Sequence, residues 1–159
     1  MRKFDTIANR LCEEQAEIFE QSLSCEKLGS ELFIRRFIYS DFARRFDDLS
    51  IINEVLVPEN VISEIGNTQG LKHVGKRYSK ESMYWMGYLY RCWCYIFETT
   101  SIEVYKTIRP SELAKLYFIY HTLDTEQAIE RIREAKSLEK GDDITRGVAL
   151  YRKILKSQK

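Results

Sequence analysis

Tyr84, Tyr88, Arg91 and Tyr95 follow one another at spacings of four, three and four inside MYWMGYLYRCWCYIF, the run from Met83 to Phe97. On a helix that spacing puts three phenols and one guanidinium on a single arc. Buried, such groups need hydrogen-bond partners or aromatic planes; exposed, they are the types that dominate binding hot spots. Two readings therefore stand open. The four side chains pair with Asp or Glu of a neighbouring helix, or they face a partner. His121, in LYFIYHTLD, is the remaining polar group beside dense aromatic sequence and is grouped with them as a partner contact.

Other chemistries fare worse. As a general base, His121 needs an orienting group such as Asp124, but Asp124 is more simply the N-cap of a following helix. Gly70 to Gly75 followed by Lys76 matches most of a phosphate-binding loop. Arg77 then stands where a Mg²⁺-binding hydroxyl belongs, and no strand precedes it. Cys12, Cys25, Cys92 and Cys94 form no C-x-x-C and lack a histidine set, so neither zinc nor any other cofactor is expected. Cys92 and Cys94 point about 160° apart on a helix and cannot bridge there. There is no G-x-S-x-G motif and no carboxylate pair set apart from ordinary surface acids. The expectation is a binding protein and not an enzyme.

The elements that position these residues read as helices throughout. Phe4, Ile7, Ala8, Leu11, Ile18 and Phe19 place an amphipathic helix over about 3–23. SELFIRRFIYSDFARRFDDL predicts a second, interrupted near Ser40–Asp41. Its Arg35–Arg36 and Arg44–Arg45 pairs lie about half a turn out of phase, so they read as solvated or ion-paired rather than as a nucleic-acid stripe. IINEVLV suggests a short helix, and Pro58 opens another. GNTQGLKHVGKRY is a loop, with a short hairpin allowed near 66–78.

Ser79 caps the aromatic helix, Thr100 and Glu103 form a capping box, and Pro110 starts a helix to about Tyr120. Asp124 opens the next, Gly141 ends it, and Asp143 caps a last helix bearing Val148, Tyr151 and Leu155. The fold class is all-α: one domain over 1–159, six to eight helices around the aromatic one. Within that helix Trp85, Leu89, Cys92 and Ile96 make one apolar stripe and Met86, Tyr90, Trp93 and Phe97 a second. Packing is expected on both, with the tyrosine–arginine arc left over. Fifteen residues span about 22 Å, short of a bilayer core, and Arg91 lies among them, so a membrane helix is rejected.

Composition agrees with a globular domain: 159 residues, 44% apolar, two prolines and a formal charge of +1. The charge is unevenly spread. Residues 131–159 carry nine Lys/Arg against four acids, net +5, so 136–159 reads as a basic helical extension. The first residues, MRKFDTIANRLCEEQ, are charged with no apolar signal core, and a reduced, cytoplasmic setting is expected.

ESMYWMGYLYRCWCYIFETTSIEVYKTIRPSELAKLYFIYHTLDTEQAIERI resembles a family of small, uncharacterised proteins of gut Firmicutes. In these a tryptophan- and tyrosine-rich helix is followed by a "YKTI–P–EL" step and a "YHTLD–EQAIERI" end, and FIRRF at 33–37 is similar too. The resemblance spans about 30–135 and leaves out the basic extension. The family's genes often stand beside small open reading frames and an ADP-ribosyltransferase-like protein, which implies a toxin–antitoxin or defence module. It supplies no catalytic residues. The resemblance thus implies an antitoxin-like or immunity protein that neutralises a toxin, plausibly one like an ADP-ribosyltransferase. Two alternatives stay open: a helix-turn-helix regulator of its own operon, using 100–120 or the basic tail, and a nucleotide binder using the aromatic face and His121.

Overall fold

A computed structural model describes residues 1–158 and contains eight α-helices with no strand among them. They are α1 (Thr6–Gln21), α2 (Ser30–Ile38), α3 (Asp41–Asp47), α4 (Pro58–Ile65), α5 (Lys80–Phe97), α6 (Ser101–Thr107), α7 (Pro110–Tyr120) and α8 (Thr125–Ser157). A short 3₁₀ turn, Ser22–Ser24, follows α1. No helix among the described residues is long and apolar enough to cross a membrane.

Local chemistry sets most boundaries. Ser79 accepts from the Ser82 amide at the start of α5, and Ser40 does the same for Ala43 at the start of α3. Thr100 and Glu103 close a reciprocal capping box on α6. Pro58 and Pro110 occupy the first turns of α4 and α7, where the missing N–H costs nothing. At its far end α5 stops at Glu98, in the left-handed region at φ 51°.

The aromatic helix α5 is the centre, touching α1, α6, α7 and α8. Its most intimate neighbour is α1, on the tyrosine–arginine arc rather than on either apolar stripe. Gly87 makes this possible: a Cβ there would lie 2.9 Å from the Ala16 Cα and 2.9 Å from the Gln15 carbonyl oxygen. Phe19, Phe33, Phe37 and Phe46 join α1, α2 and α3 through edge and tilted ring contacts.

Three expectations are corrected. The segment 66–78 forms no hairpin. It is an irregular loop held by Arg77, whose guanidinium donates to the carbonyls of Leu23, Cys25 and Leu28. That engagement also removes the phosphate-loop reading. IINEVLV forms turns instead of a helix, anchored by the buried Ile51. Gly141 does not end a helix: α8 runs through it, and through Gly147, for 33 residues. A helical glycine costs only about 1 kcal/mol, and the continuous helix of 33 residues absorbs that cost at both.

Replacing Gly87 by Ala should destabilise the fold by about 1–3 kcal/mol in urea unfolding, because backbone rather than a movable side chain meets the new methyl. A second expectation concerns pH. The Thr100 amide, with the Thr99 and Thr100 hydroxyls, lowers the Glu103 pKa to about 2. Because the folded value lies below the ordinary one, the cap's contribution is full above about pH 4.5 and lost as pH falls toward 2. Glu103→Gln should show a shallower fall in Tm over that window than the wild type.

Candidate functional site

Arg91 proves to be interior, with 1% of its surface exposed. Each of its nitrogens has a partner. Nε donates to the Gln15 amide oxygen at 2.9 Å, Nη1 to the Asp47 carboxylate at 2.7 Å and Nη2 to the Ser101 hydroxyl at 2.7 Å. Ser101 in turn donates its hydroxyl and its backbone N–H to the two oxygens of Asp47, at 2.6 and 2.9 Å. Gln15, fully buried, passes its own N–H to the Gly87 carbonyl at 3.0 Å. The Phe46 ring lies 5.0 Å from the guanidinium carbon. One cation thereby fastens α1, α3, α5 and α6. The cleft beside it, lined by Asp47, Tyr95 and Thr100 among others, has a volume of about 130 Å³. Ligand sites are typically about 300 Å³ or more.

Tyr95 is likewise interior. Its hydroxyl lies 3.0 Å from both oxygens of Asp5, the N-cap of α1, which lowers the Asp5 pKa together with the larger effect of the Ala8 amide. Arg91 and Tyr95 are therefore not partner contacts. Their chemistry is satisfied inside the molecule, by carboxylates of other elements. Burial also raises the pKa values of the Cys12 and Cys94 thiols, the latter to about 11, and no cysteine is oxidised to a disulfide. These are packing residues, not nucleophiles.

Tyr84, Tyr88 and His121 behave differently. They come together, with Trp85 and Tyr117, in an open groove of about 560 Å³ between α5 and α7, edged by Glu20 and Glu81. Trp85 and Tyr117 stand at 76° with their centres 5.8 Å apart, forming two walls of a corner. His121 stacks on Tyr117 at 4.5 Å. Its Nδ1 lies 2.7 Å from the Tyr117 carbonyl, which can only accept, so Nδ1 carries the proton. Tyr88 donates to the Asn9 side chain at 2.8 Å, which fixes its ring. Asp124 does not orient His121: it caps α8, accepting from the Glu126 amide at 3.1 Å.

Trp85 and Tyr117 escaped the sequence reading because periodicity assigns them to apolar faces. The available signal was size: tryptophan is seldom buried completely. Glu20 and Glu81 resemble any other surface acids until the fold puts them at one rim. Among the described residues no cluster of His, Cys, Asp and Glu could hold a metal ion.

No family model matches this chain, and neither does any curated protein or solved structure. Function has to be read from the geometry.

A second surface feature lies at the other end. Beyond Lys136 every described residue of α8 is exposed; the turns up to Asp143 still flank α5 and α6, and past them a helix of about 20 Å projects from the body. Ile144, Val148, Tyr151 and Leu155, spaced four, three and four, share one stripe with Leu150 and Ile154 beside it. Arg146, Arg152, Lys153 and Lys156 occupy the other side.

The buried network predicts strong coupling. Arg91→Met and Asp47→Ala should each cost about 3–5 kcal/mol, since either leaves buried polar groups unpaired. The double variant should lose less than the two added together, by about 1–3 kcal/mol in a denaturation cycle. Simple additivity would mean that the ion pair holds nothing together.

Proposed function

We propose that this chain is an interaction protein whose projecting arm, α8 beyond Asp143, docks into an apolar, acid-flanked groove on a partner polypeptide. The observation that carries this reading is the stripe Ile144, Val148, Tyr151 and Leu155, exposed to between 45% and 68% and covered by nothing in its own fold. Burying one such side chain is worth about 1.5–3 kcal/mol, and a helix of this length presents its anchors at the i, i+3, i+4, i+7 positions that grooves read. The cationic side of the arm favours a partner with acidic walls, through complementarity at the rim. The Firmicutes resemblance suggests a specific form of this role: an antitoxin-like or immunity factor that covers a toxin resembling an ADP-ribosyltransferase. No step of that role requires catalysis by this chain.

A DNA-binding regulator is the second reading, favoured by the four cations along one side of the arm. It draws little from α7, whose outward residues Ser111, Lys115, Phe118 and Ile119 include one cation. A DNA complex through the arm would weaken steeply with salt.

The decisive experiment co-expresses this protein with the polypeptides encoded beside it, scoring growth and complex formation together. A stoichiometric complex that restores growth is expected. Ile144→Asp with Tyr151→Asp should weaken it about 100-fold or more while the circular dichroism of the body is retained. A complex indifferent to those changes would remove the arm from the interface. A wild-type dimer that the same changes render monomeric would show that a second copy, not a toxin, covers the stripe.

A further inference from the structure

The groove between α5 and α7 has a composition the arm does not explain. Its walls are aromatic, Trp85 and Tyr117 nearly perpendicular and one face of Tyr117 covered by the stacked His121 ring, with Tyr84 and Tyr88 one helical turn apart along the floor. Its charges are carboxylates. Glu20 and Glu81 line it directly, and Glu13 and Glu17 lie close enough on α1 to act on the Tyr84 phenol. Burial, and then these α1 carboxylates, raise the pKa of that phenol, as expected in a negative field. The neighbouring cation is Lys80, whose ammonium lies 3.5 Å from Glu20 and remains 69% exposed. Glu81 has no ion pair among the described residues. The hydroxyl of Tyr88 is engaged by Asn9, so its ring face rather than its polar tip is what the groove offers.

Aromatic faces carry negative potential at their centres, and several of them converging with carboxylates nearby attract a cation with alkyl substituents. A bare, strongly hydrated ion gains less. A nucleotide fits poorly, because its phosphates would meet Glu20 and Glu81. The volume of about 560 Å³ lies in the range of small-ligand sites. We propose that the groove lined by Tyr84, Trp85, Tyr88 and Tyr117, with Glu20 and Glu81 at its rim, binds an organic cation, an alkylated ammonium or guanidinium group. The cation lies against Trp85 and the side of Tyr117 that His121 leaves uncovered, its charge balanced by the two glutamates. This site is separate from the α8 arm and does not rest on the role given to it. The same chemistry reaches the groove either as a free small molecule or as a modified lysine or arginine side chain of a polypeptide.

The two tryptophans permit a test without altering the protein. Trp85 lines the groove, whereas Trp93 is 4% exposed and belongs to the core. Choline and methylguanidinium would be titrated while following both indole N–H resonances by NMR. The expected result is a saturable shift of Trp85, in the millimolar range for so small a ligand, with Trp93 unmoved. The neutral isostere of choline, 3,3-dimethyl-1-butanol, should bind about tenfold more weakly or less. Glu20→Gln with Glu81→Gln, both away from the core, should weaken choline by a similar factor with unchanged circular dichroism. A short peptide carrying trimethyl-lysine, or one carrying arginine, separates the sources: tighter binding than the free cation marks a polypeptide ligand, equal binding a small molecule. No shift of Trp85 with any of these cations, equal affinity for the neutral isostere, or equal movement of both indoles would overturn the assignment.

Discussion

Where α1 packs on α5, the backbone at Gly87 lies so close to Gln15 and Ala16 that no side chain fits between them. That approach lets the Gln15 amide touch two places at once, the Gly87 carbonyl and the Arg91 guanidinium. The guanidinium then has two directions left, which Asp47 of α3 and Ser101 of α6 fill. Desolvating a charge is costly, and it is tolerated here because each nitrogen of Arg91 meets an acceptor, one of them a carboxylate. The network does not have to stabilise the fold more than an apolar cluster would. It ties four helices to one another, since the acceptors around the one cation of α5 come from α1, α3 and α6.

This arrangement determines what is left at the surface. With Arg91 and Tyr95 turned into the α1 interface and Tyr90 sealed against the Ile108 carbonyl at 2.7 Å, the upper part of the aromatic helix is interior. Its first turns, around Tyr84, Trp85 and Tyr88, reach solvent, and there α7 supplies the opposite wall. The groove is a consequence of the central packing rather than a separate construction. The arm is the reverse case: α8 is held to the body by Ala128, Ile129 and Ile132, with Arg133 over the Phe97 ring at 3.9 Å, and then continues where nothing remains to pack against. Its apolar stripe is unaccounted for by folding, which is why a partner is the economical reading of it.

Much of the arginine content also finds its explanation inside the chain. Arg44 and Arg45 pair with Asp41, Asp48 and Glu54, Arg36 donates to the Ile65 and Asn67 carbonyls, and Arg77 gathers the turn after α1. The ion-paired reading holds for Arg44 and Arg45, while Arg36 is held by backbone carbonyls, and no stripe for a phosphate backbone assembles from them. On the α8 arm Arg146, Arg152, Lys153 and Lys156 are exposed on one helix.

Sequence alone determined the helices and most of their limits, because caps, first-turn prolines and apolar periodicity act over a few residues. Ser79, Thr100 with Glu103, Pro110 and Asp124 all mark starts where the structure has them. It also predicted a central aromatic helix with two apolar stripes. What it left open was the third arc, and only tertiary structure decided it. The partners of Arg91 lie 76 and 44 residues away, so burial or exposure of that side chain depends on how distant elements dock. The groove pairs Trp85 with Tyr117 for the same reason. The break expected at Gly141 and the helix expected over IINEVLV both failed, since a local preference of about 1 kcal/mol yields to its neighbours in a long helix and to the burial of Ile51 in a turn. Short-range chemistry writes elements; which polar face ends inside and which stays open is settled by contacts the chain makes with itself at long range.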